Sequence, residues 1–235
     1  MQVRQLFDQE SCTFTYLLFD EQSRQAALID PVREQQERDL SLVQELDLDL
    51  RYVLETHVHA DHITSAAALA ERTGAVTCAS VLGAACATRH LKDGDELQLG
   101  DTTVRALATP GHTRDSLSFY VQGNVFTGDA LFVRGTGRTD FQSGSSDALY
   151  DSITQKLFAL PDETRVWPGH DYRGHAVSTI GEEKRYNPRI AGKSRQQFDA
   201  IMRELKLAPP KKLQIAVPAN LSCGRDVASN EGGGE

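Results

Sequence analysis

The segment Thr56-His57-Val58-His59-Ala60-Asp61-His62 places three imidazoles and a carboxylate within His57 to His62. Imidazole and carboxylate are the ligand types that borderline divalent metals such as zinc and iron accept. A solvated histidine-rich loop has no physical need for that density, whereas a metal centre does. The preceding residues, Arg51-Tyr52-Val53-Leu54-Glu55-Thr56, are β-branched and apolar enough to form a strand, so the cluster begins where that strand ends.

Working outward, three further ligand candidates follow strand-like runs. Val104-Arg105-Ala106-Leu107-Ala108-Thr109 leads through Pro110-Gly111 to His112; Val125-Phe126-Thr127-Gly128 leads to Asp129; Val166-Trp167-Pro168-Gly169 leads to His170. A glycine stands just before each of these three, which suits backbone gathered tightly around a small central object. A metal ion is the simplest such object.

The remaining pattern is that of two strand and helix halves. Thr13 to Phe19 and Gln25 to Ile29 read as a hairpin, and Glu34 to Leu46 as an amphipathic helix. Ile63 to Arg72 reads as a helix stopped by Thr73-Gly74, followed by a strand over Ala75 to Ser80. Glu96 to Leu99 and Thr102 to Ala108 flank Gly100-Asp101; Ser116 to Gln122 and Val125 to Phe126 flank Gly123-Asn124; both are hairpin signals. Asp147 to Leu160 and Arg195 to Leu205 read as helices, with a short strand over Thr164 to Trp167. This order fits an α/β arrangement of two mixed sheets packed face to face with helices outside, the four ligand loops lying along one edge. One domain over residues 1–226 is expected, with 227–235 a disordered tail.

Composition limits the function classes. The 235 residues are 40% hydrophobic and 25% charged, enough to bury a substantial core. Net charge is −8, with 8 Lys/Arg against 17 Asp/Glu in residues 1–100 but 10 against 5 in residues 171–212. An acidic whole argues against nucleic-acid binding, while a basic late segment beside a metal site could hold a small anion. No apolar run approaches the roughly 20 residues of a membrane span, and the start reads as no targeting peptide, so a cytoplasmic protein without membrane attachment is expected. Cys12, Cys78, Cys86 and Cys223 form no Cys-x-x-Cys pair and are expected to be thiols, with Cys223 a free one. His90 and His175 have no partner pattern and are not ligand candidates.

In type, order and strand-end context, His57-x-His59-x-Asp61-His62 with His112, Asp129 and His170 resembles the ligand series of the metallo-β-lactamase superfamily. That resemblance implies the αββα sandwich. Within the superfamily, Thr127-Gly128-Asp129-Ala130-Leu131-Phe132, Arg134 through Gln142, Pro168-Gly169-His170-Asp171-Tyr172, Asn187-Pro188-Arg189 and Val217-Pro218-Ala219-Asn220 resemble the persulfide dioxygenases, the family of the ethylmalonic encephalopathy protein. The likeness runs from about Val3 to about Asp226. Thr136 departs from it, since family members often carry a cysteine there.

The resemblance implies one Fe(II) per chain held by His57, His112 and Asp129, with open positions for a glutathione persulfide thiolate and O2, giving sulfite and glutathione. His59, Asp61, His62, His170 and Asp171 are then expected to support the ligands rather than hold metal. Arg138, Tyr172 and Arg189 are expected to bind glutathione, whose two carboxylates suit guanidinium groups. Self-association as a homodimer is compatible with this reading. The alternative is a dinuclear thioester hydrolase like glyoxalase II acting on S-lactoylglutathione, because every residue that would hold a second metal is present.

Overall fold

The computed structural model describes residues 1–210 and 212–225. The 227–235 segment, expected to be a disordered tail, lies outside the described residues.

Strand β2 (Thr13–Phe19) shows how the layers arise. Its seven residues, Thr-Phe-Thr-Tyr-Leu-Leu-Phe, are all buried, as they must be in a strand covered on both faces. Side chains alternate between faces: Phe14, Tyr16 and Leu18 enter one apolar cluster, while Leu17 and Phe19 enter another. Each large apolar side chain so buried contributes about 1.5–3 kcal/mol.

β2 belongs to a six-stranded sheet ordered β1 (Gln2–Asp8), β2, β3 (Gln25–Ile29), β4 (Asp49–Leu54), β5 (Val76–Ser80), β6 (Arg89–Leu91). The first three strands pair antiparallel and the rest parallel. The second sheet runs β12 (Ser178–Thr179), β11 (Arg165–Pro168), β10 (Asn124–Gly128), β9 (Leu117–Val121), β8 (Thr102–Ala108), β7 (Glu96–Leu99). Only β10 and β11 are parallel in it. Between the sheets Tyr16 packs edge-on against Phe126, their ring centres 4.9 Å apart.

Helices α1 (Gln36–Glu45) and α2 (Ala66–Thr73) cover the first sheet through Leu40, Val43 and Leu69. Helices α3 (Ser146–Asp151, continued by a π turn over Ser152–Leu157), α4 (Ile180–Tyr186) and α5 (Arg195–Glu204) cover the second through Leu149, Ile180 and Phe198. The result is the expected αββα sandwich. A final helix, α6 (Leu213–Leu221), closes over the ligand edge. Among the described residues no helix is long and apolar enough to cross a membrane.

The structure corrects one sequence expectation outright. Cys86 and Cys223 form a disulfide, with their Cα atoms 5.9 Å apart, so Cys223 is not a free thiol. The two cysteines are separated by 137 residues, a distance that sequence spacing cannot read; the fold brings the β5–β6 connection against the end of α6. Cys12 and Cys78 are not disulfide-bonded.

Candidate metal centre and substrate cavity

Strand β4 stops at Leu54 because the next residues are captured by side chains. The Thr56 N–H donates to Asp30 Oδ1 (2.7 Å) and its hydroxyl to Oδ2 (2.8 Å). With that hydroxyl proton committed, Thr56 Oγ1 can only accept from His57 Nδ1, 3.0 Å away. The tautomer is thereby fixed, and the lone pair of His57 Nε2 is left for a metal. His112 is set the same way, its Nδ1 donating to the Arg138 carbonyl at 2.8 Å. Nitrogen and carboxylate donors of His57, His112 and Asp129 all lie within 4.8 Å of one another, and Asp129 Oδ1 is buried without a hydrogen-bond partner. A divalent cation fits this set: two imidazoles whose Nδ1 atoms are engaged elsewhere, leaving Nε2 for the ion, and one unsatisfied carboxylate. Burial, followed by the neighbouring His59 and His112, holds the His57 pKa well below the ordinary range, which keeps it a neutral ligand.

Close approach explains the glycines. A side chain at Gly128 (φ +47°) would meet Thr56 Oγ1 at 2.5 Å, and one at Gly169 would meet Asp129 Oδ1 at 2.7 Å. At Gly137 a side chain would come within 2.2 Å of the Asp129 carbonyl oxygen, and Thr136 and Gly137 line the cavity beside it.

The other expected site residues gather beside this triad. His170 donates from Nδ1 to the Cys12 carbonyl (3.1 Å) and turns Nε2 toward Asp129 Oδ1 (3.4 Å) and Asp61 Oδ2 (3.7 Å). Asp61 Oδ2 also accepts from the Thr13 hydroxyl (3.0 Å) and faces His62 Nδ1 (2.9 Å). Burial opposes ionisation of Asp61, but the His62 and His170 charges outweigh it and hold the carboxyl well below its usual range. His59 Nε2 sits 3.1 Å from Asp30 Oδ1 and 3.3 Å from Glu55 Oε2, and these carboxylates overcome burial to raise its pKa well above normal. His59, Asp61 and His62 donors also lie within 4.8 Å of one another. Asp171 stands apart: its carboxylate accepts from the Arg173 N–H (2.8 Å), organising the turn after His170.

Asn220 was quoted in the sequence only as part of a motif; the fold gives it a task. Its Nδ2 donates to the carbonyls of His59 (2.9 Å) and His62 (2.8 Å), and its Oδ1 accepts from the Thr64 N–H (2.9 Å). One buried amide thus pins the whole histidine loop, and the Cys86–Cys223 bond anchors the segment that carries it. Asp30, Glu55 and Thr13 were also passed over. Asp30 follows directly on β3, a strand-end signal like those of the ligands.

His112 and Asp129 of this triad line a cavity of about 460 Å³. Its walls include Arg138, Phe141, Tyr172, Arg173, Arg189 and Leu207. Arg138 is already paired, donating to both oxygens of Asp140 (2.6 and 2.7 Å) and to the Ala208 carbonyl (2.7 Å). It builds the wall, and its carbonyl also sets His112. Arg189 donates to the carbonyl and hydroxyl of Thr136, and Asn187 beside it donates to the Gly135 carbonyl (3.0 Å), steadying the same turn. Tyr172 is two-thirds exposed and stacks on His170 with ring centres 5.6 Å apart.

Fold and site together define the class. The metallo-β-lactamase superfamily model matches residues 13–170, and the chain belongs to that superfamily. Bovine mitochondrial persulfide dioxygenase ETHE1 is 46% identical over 94% of this chain and 88% of its own length. A crystal structure of ETHE1 from Myxococcus xanthus superimposes with a TM-score of 0.94 at 59% identity, covering 96% of this chain and all of that one. Within the superfamily, the chain belongs to the persulfide dioxygenase family, which is a family of oxidoreductases. A more distant relative, TTHA1623, was solved in a di-iron-bound form; it is 31% identical, with a TM-score of 0.67 over 79% of this chain and 99% of that one.

Proposed function

We propose that this chain oxidises the outer sulfur of glutathione persulfide at a single Fe(II) held by His57, His112 and Asp129. The overall change is persulfide, O2 and water to glutathione, sulfite and two protons. The observation that supports this reading is a three-donor set, His57, His112 and Asp129, of which His112 and Asp129 line a cavity that is also lined by Arg138, Arg173 and Arg189. A bound ferrous ion would supply open positions for a thiolate and O2 together with the one-electron chemistry that lets them react.

The protein's own residues do the rest. Thr56 and the Arg138 carbonyl hold the two imidazoles in the metal-ready tautomer. His170 Nε2, between Asp129 and Asp61, could hold or release a proton next to the donor set. Phe132 and Phe141 lie edge-on to His170 and His112, their ring centres 5.9 Å away in each case, and limit water around the donors. Tyr172 and the cavity arginines orient the peptide part of the substrate.

One observation favours a second reading, a dinuclear thioester hydrolase: the His59, Asp61 and His62 donors cluster closely enough for a second ion. Metal content and oxygen use separate the two. Anaerobically purified protein should hold one iron per chain and consume O2 in step with sulfite when glutathione persulfide is added. Two metals per chain, with hydrolysis of S-lactoylglutathione and no O2 uptake, would replace the dioxygenase by the hydrolase.

A further inference from the structure

Three arginines face the substrate cavity, and they are not equivalent. Arg138 is neutralised by Asp140 and further held by the Leu207 and Ala208 carbonyls. Its donors are directed at the wall, so it has little left to offer a ligand. Arg189 uses one nitrogen on Thr136 and has no carboxylate partner among the described residues. Arg173 goes further: among the described residues its guanidinium makes no hydrogen bond, ion pair or ring contact, although it lines the same cavity.

Arg173 and Arg189 are also close enough to repel. Burial, and then the Arg173 charge, lowers the pKa of Arg189. Two arginines lining one cavity, neither paired with a carboxylate among the described residues, carry an unfavourable energy that an anion would relieve. The acids that line the cavity, Asp61 and Asp129, face the histidine cluster, and Asp140, outside the lining, is paired with Arg138. A ligand that is a thiolate at one end and a carboxylate at the other matches this layout.

We propose that Arg173 and Arg189 form a carboxylate clamp at the mouth of the cavity, and that Arg173 determines the preference for persulfides bearing a carboxylate distant from the sulfur. This rests on the persulfide reading above and adds the residue that selects among persulfides. Asp171 belongs to the device as its support, since it fixes the Arg173 backbone.

The test uses iron-loaded enzyme and the variants Arg173→Gln and Arg173→Lys. Glutathione binding is followed by calorimetry, and persulfide turnover by O2 uptake, with glutathione and its diethyl ester as the paired probes. A charge-assisted hydrogen bond lost from a partly exposed site corresponds to about a tenfold effect. Arg173→Gln should weaken glutathione binding and raise KM for glutathione persulfide by about that factor, with kcat and iron content unchanged. The diester should bind both proteins alike, and Arg173→Lys should recover part of the loss. Equal weakening for acid and ester, or none for either, would overturn the clamp. If wild-type protein oxidises no persulfide, the functional reading fails while the calorimetric comparison still decides the clamp.

Discussion

The metal-facing loop and the cavity wall are built by opposite means. In the loop, buried backbone groups and the Nδ1 of His57 have short, fixed partners: Asp30 holds Thr56, Thr56 holds His57, and Asn220 holds the backbone of His59, His62 and Thr64. In the wall, long cationic side chains sit at the solvent boundary; Arg138 is saturated and Arg173 is without a partner among the described residues. The first region is rigid because an unsatisfied buried group costs more than an exposed one. The second can exchange partners when a ligand arrives. The proposed chemistry falls on the rigid part and the proposed selectivity on the adaptable one.

The contrast makes graded predictions. The largest effect should come from removing a ligand. His112→Ala or Asp129→Ala should lose iron and sulfite formation together, read by metal analysis and O2 uptake; a variant that turns over fully without iron would end the distinction between the regions. Next is Asn220→Ala, which leaves two buried carbonyls and an N–H of the histidine loop without a partner. At about 1–3 kcal/mol for each orphaned group, a loss of about 3 kcal/mol or more is expected, seen as a fall of roughly 10 °C in Tm. Cys86→Ser should cost about 2–4 kcal/mol by freeing the chain that carries Asn220. Finer still is Thr56→Val, which removes the acceptor that sets His57; iron affinity should fall about 10- to 100-fold with the fold intact. Smallest is Arg138→Ala, expected to raise KM several-fold while iron stays bound, since the His112 contact uses the backbone of Arg138 and not its side chain. If iron is lost as in His112→Ala, wall and loop form one unit.

Legibility in the sequence followed the same division. Ligand chemistry is carried by residue type and short spacing, so the strand-end positions of His57, His112, Asp129 and His170 could be read directly. Element ends were harder. The helix expected from Ile63 begins only at Ala66, because the Ile63 carbonyl accepts from Arg33 (2.8 Å) and the Ser65 N–H donates to Pro31 (3.1 Å), contacts across some 30 residues of chain. Helix α6 was invisible because it is apolar on all sides and contains Pro218. Helix α4 was missed despite a signal: the Thr179 hydroxyl caps Glu182, the threonine-to-glutamate spacing that marks a helix start. The disulfide and the Asn220 clamp depend on the fold itself, as does the partner each arginine takes. Among three arginines near one cavity, sequence cannot tell the saturated one from the available one.

The central claim is that one mononuclear ferrous centre, and no metal pair, serves this cavity. Nitric oxide added without oxygen to the ferrous enzyme tests it most directly. A half-integer-spin EPR signal integrating to one spin per chain, changing shape when glutathione is added, is the predicted result. A spin-coupled, largely silent spectrum with two irons per chain, insensitive to glutathione, would contradict it.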